Sequence, residues 1–218
     1  MNIYVIGDPH QGEEIKKKLN PEHSVTTLDY FAANDDNEKS VVFDFTIDDS
    51  PLSLEKYSGL INLSLFINST RVSLAELSLL AKPESPNLFG IAGDSTFLER
   101  SLIEVCAYSK NRIEAVTLLA NLGVKATLVA DRVGLVTPRI IAMIINEAYY
   151  TVMEGTATRE DVDTAMKLGT NYPMGPFEWA KKWGIINIYE LLLALYKDSK
   201  DERYKISSLL KGEYLNSL

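Results

Sequence analysis

The first residues able to do chemistry form a turn, Gly7-Asp8-Pro9-His10-Gln11-Gly12, directly after the apolar run Asn2 to Ile6. A G-x-G-x-x-G turn between a strand and a helix cradles the pyrophosphate of a dinucleotide. Its first glycine makes the turn, its second admits the phosphates and its third packs helix on strand. Gly7 and Gly12 keep the outer positions, but the middle one is Pro9, which has no N–H and brings a ring to where backbone should approach phosphate. Asp8 adds a negative charge beside a site meant for a dianion. Asp29, after the next apolar run, stands where an acid holds the ribose. Two readings stay open: a weakened dinucleotide site, or an inherited turn that binds nothing.

Few other groups offer chemistry. There are two histidines, His10 and His23, and one cysteine, Cys106, so no internal disulfide and no cysteine-based metal site is expected. Net charge is −8 over 218 residues, which makes a phosphate backbone a poor partner and excludes nucleic acid from the expected ligands. No apolar run approaches the ~20 residues needed to span a bilayer. The opening strand pattern lacks the basic start and cleavage site of a signal peptide, so a cytoplasmic, reduced setting is expected. Lys16-Lys17-Lys18 reads as a solvated helix face.

The elements that must position these residues alternate at first. Apolar runs predict strands at 1–6, 24–28, 40–46, 59–66, 88–92, 101–106 and 124–129. Helices are expected over Gly12–Leu19, ended by Asn20-Pro21, and over Leu74–Ala81, with Ser73 and Glu76 as a capping box. Pro51–Tyr57 reads as a short helical turn and 34–39 as an acidic loop, and Pro83 and Pro86 close the segment after Ala81. Arg112–Leu122 is a third helix, with Gly123 past its end. This is the pattern of a mostly parallel α/β sheet.

After Asp131 only helix patterns follow. Pro138 opens one with the stripe Ile140, Ile141, Ile144, Ile145, Ala148 and Val152, and Gly155 ends it. Thr158 opens the next, expected to end at Gly169. Pro176 starts the helix Phe177–Trp183, Gly184 stops it, and Ile186–Tyr196 follows. Trp179 and Trp183, four apart on one face, and Tyr149 and Tyr150 are read as core or dimer packing. The expected fold is therefore a Rossmann-like α/β domain at 1–131 with a shortened, mostly parallel sheet, followed by an all-α domain at 132–218.

Several segments carry a resemblance. DRVGLVTPRII at 131–141, NEA at 146–148, EGTA at 154–157, EDVDTAMKLG at 160–169 and YPMGPFE at 172–178 resemble, in order and spacing, the helical domain of the 3-hydroxyacyl-CoA dehydrogenases. More weakly, Val5-Ile6-Gly7, NSTRVSLAEL at 68–77 and the stretch from Phe89 to Val105 resemble the dinucleotide-binding half of that family. The chain is shorter than full-length relatives, with the missing part placed between Asp29 and Ser40, where relatives carry a helical excursion implicated in CoA binding.

The resemblance implies NAD(H) as cofactor, an acyl-CoA as substrate and a homodimer through the helical domain. It implies a histidine general base oriented by a glutamate. Glu104 matches the glutamate, but Ala92 stands at the histidine and Ser95 at a nearby asparagine. Pro138 replaces the junction asparagine, and Thr70 keeps the hydroxyl of a matched serine. The site residues so implied are Glu104 and Thr70 for catalysis and Gly7, Gly12 and Asp29 for cofactor, with no metal. Losing a general base costs about 10²–10⁴-fold in rate, so a catalytically impaired member with weak or lost NAD(H) binding is expected. The alternatives are a non-catalytic dimeric scaffold or acyl-CoA/nucleotide-binding interaction protein, and an enzyme of altered chemistry around Thr70, Asp94 and Glu104.

Overall fold

A computed structural model describes residues 2–31, 39–80, 87–107 and 112–218. The acidic stretch at 34–38 and the closing prolines Pro83 and Pro86 lie outside the described residues, as does most of the stretch where relatives are longer.

The chain divides into two compact units, residues 1–135 and 136–218. The first is a seven-stranded sheet: β1 (Asn2–Ile6), β2 (Val25–Leu28), β3 (Ser40–Asp44), β4 (Leu63–Asn68), β5 (Asn87–Ile91), β6 (Ile103–Ala107) and β7 (Ala126–Leu128), in the order β2-β1-β3-β4-β5-β6-β7. Strands β1 to β5 run parallel, β6 opposes β5, and β7 runs with β6. Helices α1 (Pro9–Lys18), α2 (Leu74–Leu80), α3 (Ser95–Leu98) and α4 (Arg112–Asn121) connect them, with a 3-10 segment at Pro51–Tyr57. Central strands are nearly all apolar because both faces are covered. Phe43, Phe66 and Phe89, in register across β3, β4 and β5, stack at 5.0 and 4.8 Å between ring centroids.

The expected elements recur with shifted ends. The first helix begins at Pro9, not Gly12, because Asp8 and Gln11 form a capping box: proline suits the first helical position. Strand β4 runs Leu63–Asn68 rather than 59–66, because Gly59 takes φ +88° in a turn. Ser73 and Glu76 cap α2 as expected, with Ser73 Oγ accepting from the Glu76 N–H at 3.2 Å. Asp131 accepts from the next two N–H groups, those of Leu74 and Ala75, at 2.8 and 2.9 Å.

The second unit is helical among the described residues: α5 (Thr137–Met153), α6 (Arg159–Thr170), α7 (Pro176–Trp183), α8 (Ile185–Ser199) and α9 (Ser208–Asn216), with a 3-10 turn at Glu202–Tyr204. The α5 stripe buries Ile141, Ala142, Ile145, Ala148 and Tyr149, while Ile140 faces outward. Gly169 does not end α6. The helix runs one residue on, to Thr170, and Asn171 takes the left-handed conformation at φ +57°, which asparagine tolerates better than most residues. The short α3, the 3-10 turn and α9 carried no signal strong enough to predict.

Candidate functional site at the carboxyl edge of the sheet

Parallel strands bring their carboxyl ends to one edge, and ligands of such sheets bind where strand order reverses. Here that point lies between β1 and β3. Gly7 follows β1, Asp29 follows β2, Phe45 follows β3, Ser69 follows β4 and Ala92 follows β5, so the residues of the glycine turn and the matched loops do gather on one edge. The register Ile6↔Leu28 sets Asp29, which is exposed, beside Gly7. Gly12 packs α1 on β2: a Cβ there would meet Thr27 Oγ1 at 3.2 Å.

The turn departs from a phosphate cradle in detail. A helix N-terminus attracts anions through N–H groups left without partners. In α1, Pro9 has no N–H, and the Gln11 N–H donates to Asp8 Oδ1 at 2.8 Å. Gln11 is tied at both ends, with Oε1 accepting from the Asp8 N–H at 2.9 Å and Nε2 donating to the Gly93 carbonyl at 2.8 Å. Phe45, anchored by its own N–H to the Ile6 carbonyl at 2.9 Å, lays its ring between two glycines. A Cβ on Gly7 would lie 3.0 Å from Phe45 Cδ2, and one on Gly93 would lie 2.5 Å from Cδ1. Asp8 and Gln11 thus close the turn with bonds inside the chain, and Phe45 packs against it. The capping pattern Asp8-x-x-Gln11 is a helix-start signal that a helix begun at Gly12 passes over. Phe45 could have been flagged as a bulky residue immediately after the strand bordering the reversal.

The second cluster tests the acid–base pair. Strands β5 and β6 pair Phe89↔Ala107, Gly90↔Cys106 and Ile91↔Val105. The register ends at Ile91↔Val105, and Ala92 and Glu104 are the residues next to that last pair. Both are buried, Ala92 to 3% exposure. Ala92 offers only a methyl group, which cannot take up a proton. His10 sits on the first turn of α1, 3.8 Å from Glu99, and His23 is 3.9 Å from Glu22. Neither has a contact with Glu104 among the described interactions.

Thr70 is committed elsewhere. Its hydroxyl donates to Asp48 Oδ2 at 2.8 Å in a buried ion pair, in which the Arg71 N–H reaches Asp48 Oδ1 at 3.0 Å and Arg71 Nε reaches Oδ2 at 3.2 Å. Burial pushes the Asp48 carboxyl above the usual carboxylate range, while Arg71 and the Thr70 hydroxyl pull it down. A similar buried acid, Asp44 at the end of β3, accepts from Tyr57 Oη at 2.7 Å, from Thr46 Oγ1 at 2.6 Å and from Lys56 Nζ at 2.7 Å. These groups hold the loops behind the edge.

In the helical unit the matched motifs have local explanations. Asp163 accepts from the Phe177 and Glu178 N–H groups at 2.8 and 3.2 Å, capping α7. Gly175 is required because a Cβ would run into Asp163. Glu178 accepts from the Gly175 N–H at 2.9 Å and pairs with Lys167 at 2.5 Å. Asn146 donates to the Lys205 carbonyl at 2.8 Å and accepts from the Ser207 N–H at 2.9 Å, holding the chain that leads into α9. Trp179 and Trp183 are buried. Tyr149 donates to Glu213, which also pairs with Arg159. No group of acids, histidines and cysteines suited to a metal occurs among the described residues, and no described helix is long and apolar enough to cross a membrane.

The mostly parallel sheet with a glycine turn after β1 makes the first unit Rossmann-like, and the second unit is helical. Residues 134–215 match the family model described as 3-hydroxyacyl-CoA dehydrogenase, C-terminal domain. It is 41% identical over 102 residues to the 3-hydroxyadipyl-CoA dehydrogenase of Escherichia coli K12, a match covering 47% of this chain and 22% of that one. The matched segments span 22–34% of the length of the first curated relatives. The fold is similar over 99% of the chain to (S)-3-hydroxybutyryl-CoA dehydrogenase PaaH1 of Ralstonia eutropha, covering 94% of that structure at a TM-score of 0.76 and 18% identity. FadB2 of M. tuberculosis gives a TM-score of 0.81 at 16% identity, covering 99% of this chain and 93% of that one.

Proposed function

We propose that this chain is a family member that does not carry out hydride transfer on 3-hydroxyacyl-CoA thioesters at the family's rate, and that it serves as a cytoplasmic assembly or acyl-CoA-binding protein. The observation that carries this reading is buried Ala92, at the position the resemblance gives to the general base, because a methyl group cannot take the proton of a 3-hydroxyl. Thr70 gives its hydroxyl to Asp48, so of the two residues implied for catalysis only Glu104 keeps a place at the matched pair.

The retained motifs support assembly. Asp163, Gly175, Glu178 and Asn146 build caps and turns of the helical unit. Helix α6 buries none of its residues, and its Leu168 is 83% exposed. We place a homodimer contact on that helix. The acyl-CoA thioesters in the relatives' names supply the ligand class.

Steady-state reduction of acetoacetyl-CoA by NADH tests the catalytic half: no protein-dependent rate is expected, and a rate comparable to an active relative would overturn it. Light scattering tests the other half. A dimer that Leu168→Glu converts to monomer is expected, and a wild-type monomer at high concentration would remove the assembly reading.

A further inference from the structure

The glycine turn is retained while the groups around it do not fit a dinucleotide. We propose that the chain closes its own cofactor crevice: Phe45 and Gln11 occupy the space between the β1 turn and the loop after β5, so the sheet edge takes up no NAD(H). This is independent of Ala92, because a member without a general base could still hold the cofactor.

Three observations converge. A Cβ on Gly93 would collide with the Phe45 ring, and one on Gly7 would collide with Gln11 Oε1 and press on Phe45 Cδ2 at 3.0 Å. Gly7 is thereby accounted for by Gln11 and the ring together, with no phosphate needed to explain it. Gln11 spans from α1 to the Gly93 carbonyl and has both polar ends engaged within the chain. The Asp8 carboxylate accepts the Gln11 N–H, at the helix end where a pyrophosphate oxygen would lie, and it would repel such an oxygen.

Phe45 is only 5% exposed. Admitting a dinucleotide means expelling its ring into water, a penalty of about 10–100-fold in affinity on burial alone. The Gly93 N–H is also taken, donating to buried Asn68 Oδ1 at 2.9 Å, so the far wall of the crevice is fixed from behind.

The test is an NADH fluorescence titration of the full chain, with a thermal-shift series in NAD and NADH as a second readout. The wild type is expected to show no saturable binding and no shift at millimolar nucleotide. The Phe45→Ala, Gln11→Ala double variant, shown folded by its circular dichroism, is expected to bind at least about tenfold more tightly than wild type. Saturable wild-type binding would overturn the inference, and so would a folded double variant that binds no better. If alanine unfolds the unit, Phe45→Val with Gln11→Ala replaces it, with an expected gain of about threefold, and no gain then counts against closure. Wild-type NADH binding without turnover would sink this inference alone. Binding with turnover would sink the general-base reading as well.

Discussion

Thr70 is the residue whose two roles separate most cleanly, because the resemblance assigns it to the active site while the structure ties it to Asp48. Thr70→Val keeps the shape of the side chain and removes the hydroxyl that donates to a buried carboxylate at 2.8 Å. A hydrogen bond to a charged group contributes about 1.5–3 kcal/mol. Asp48 retains the N–H and Nε of Arg71 after the change, so the loss belongs in the lower half of that range, about 2 kcal/mol. Urea unfolding followed by circular dichroism should show a lowered midpoint with an unchanged slope. The variant should also alter the pH response. Asp48 already sits above the usual carboxylate range through burial, and loss of a donor raises it further. A carboxyl whose folded pKa is raised stabilises the fold below its unfolded pKa, and that contribution is lost as pH rises through the folded value. The variant's deficit should therefore shrink on acidification through the acidic range. A loss below about 0.5 kcal/mol, or a deficit that grows toward acid, would refute the assignment of Thr70 to this network.

Three further outcomes are expected. Gly175→Ala pushes a Cβ into Asp163 and dislodges the α7 cap, and should cost about 1–3 kcal/mol on thermal or urea unfolding; a neutral variant would contradict the cap. Lys167 and the Gly175 N–H hold the Glu178 carboxyl below its ordinary value, so its stabilising effect is present above about pH 4.5 and lost as pH falls through the lowered folded value. Glu178→Gln should therefore flatten the acid limb of the stability profile, and an unaltered limb would count against the pair. Burial pushes the Cys106 thiol up to about 12, so a thiol reagent at mildly alkaline pH should label it only on unfolding; rapid labelling of folded protein would show an open path to the residue.

How much of this was legible in the sequence depended on how local the cause was. Apolar runs located every strand of the sheet, since a covered parallel strand is apolar along its length, and Ser73 with Glu76 fixed the start of α2 because a capping box is a four-residue signal. The helical motifs could be recognised as a family pattern, yet their physical cause could not be read. Asp163 caps a helix that begins thirteen residues later, and Asn146 holds a segment some sixty residues away. At the sheet edge, Ala92 and Glu104 were matched by resemblance, and the antiparallel register supplies the reason they are twelve apart. Phe45 was read only as part of an apolar strand, because nothing near it in sequence points to Gly93. The end of α6 was missed because glycine is the commoner stop signal and Asn171 took that role instead.

The central claim is that the edge formed by Gly7, Phe45, Ala92 and Glu104 does not transfer hydride. The most direct measurement incubates the full chain with acetoacetyl-CoA and NADH deuterated at the transferable position, then reads the product's mass. The account predicts no deuterated 3-hydroxybutyryl-CoA above a protein-free control. Deuterium in the product, increasing with protein concentration and time, would contradict it.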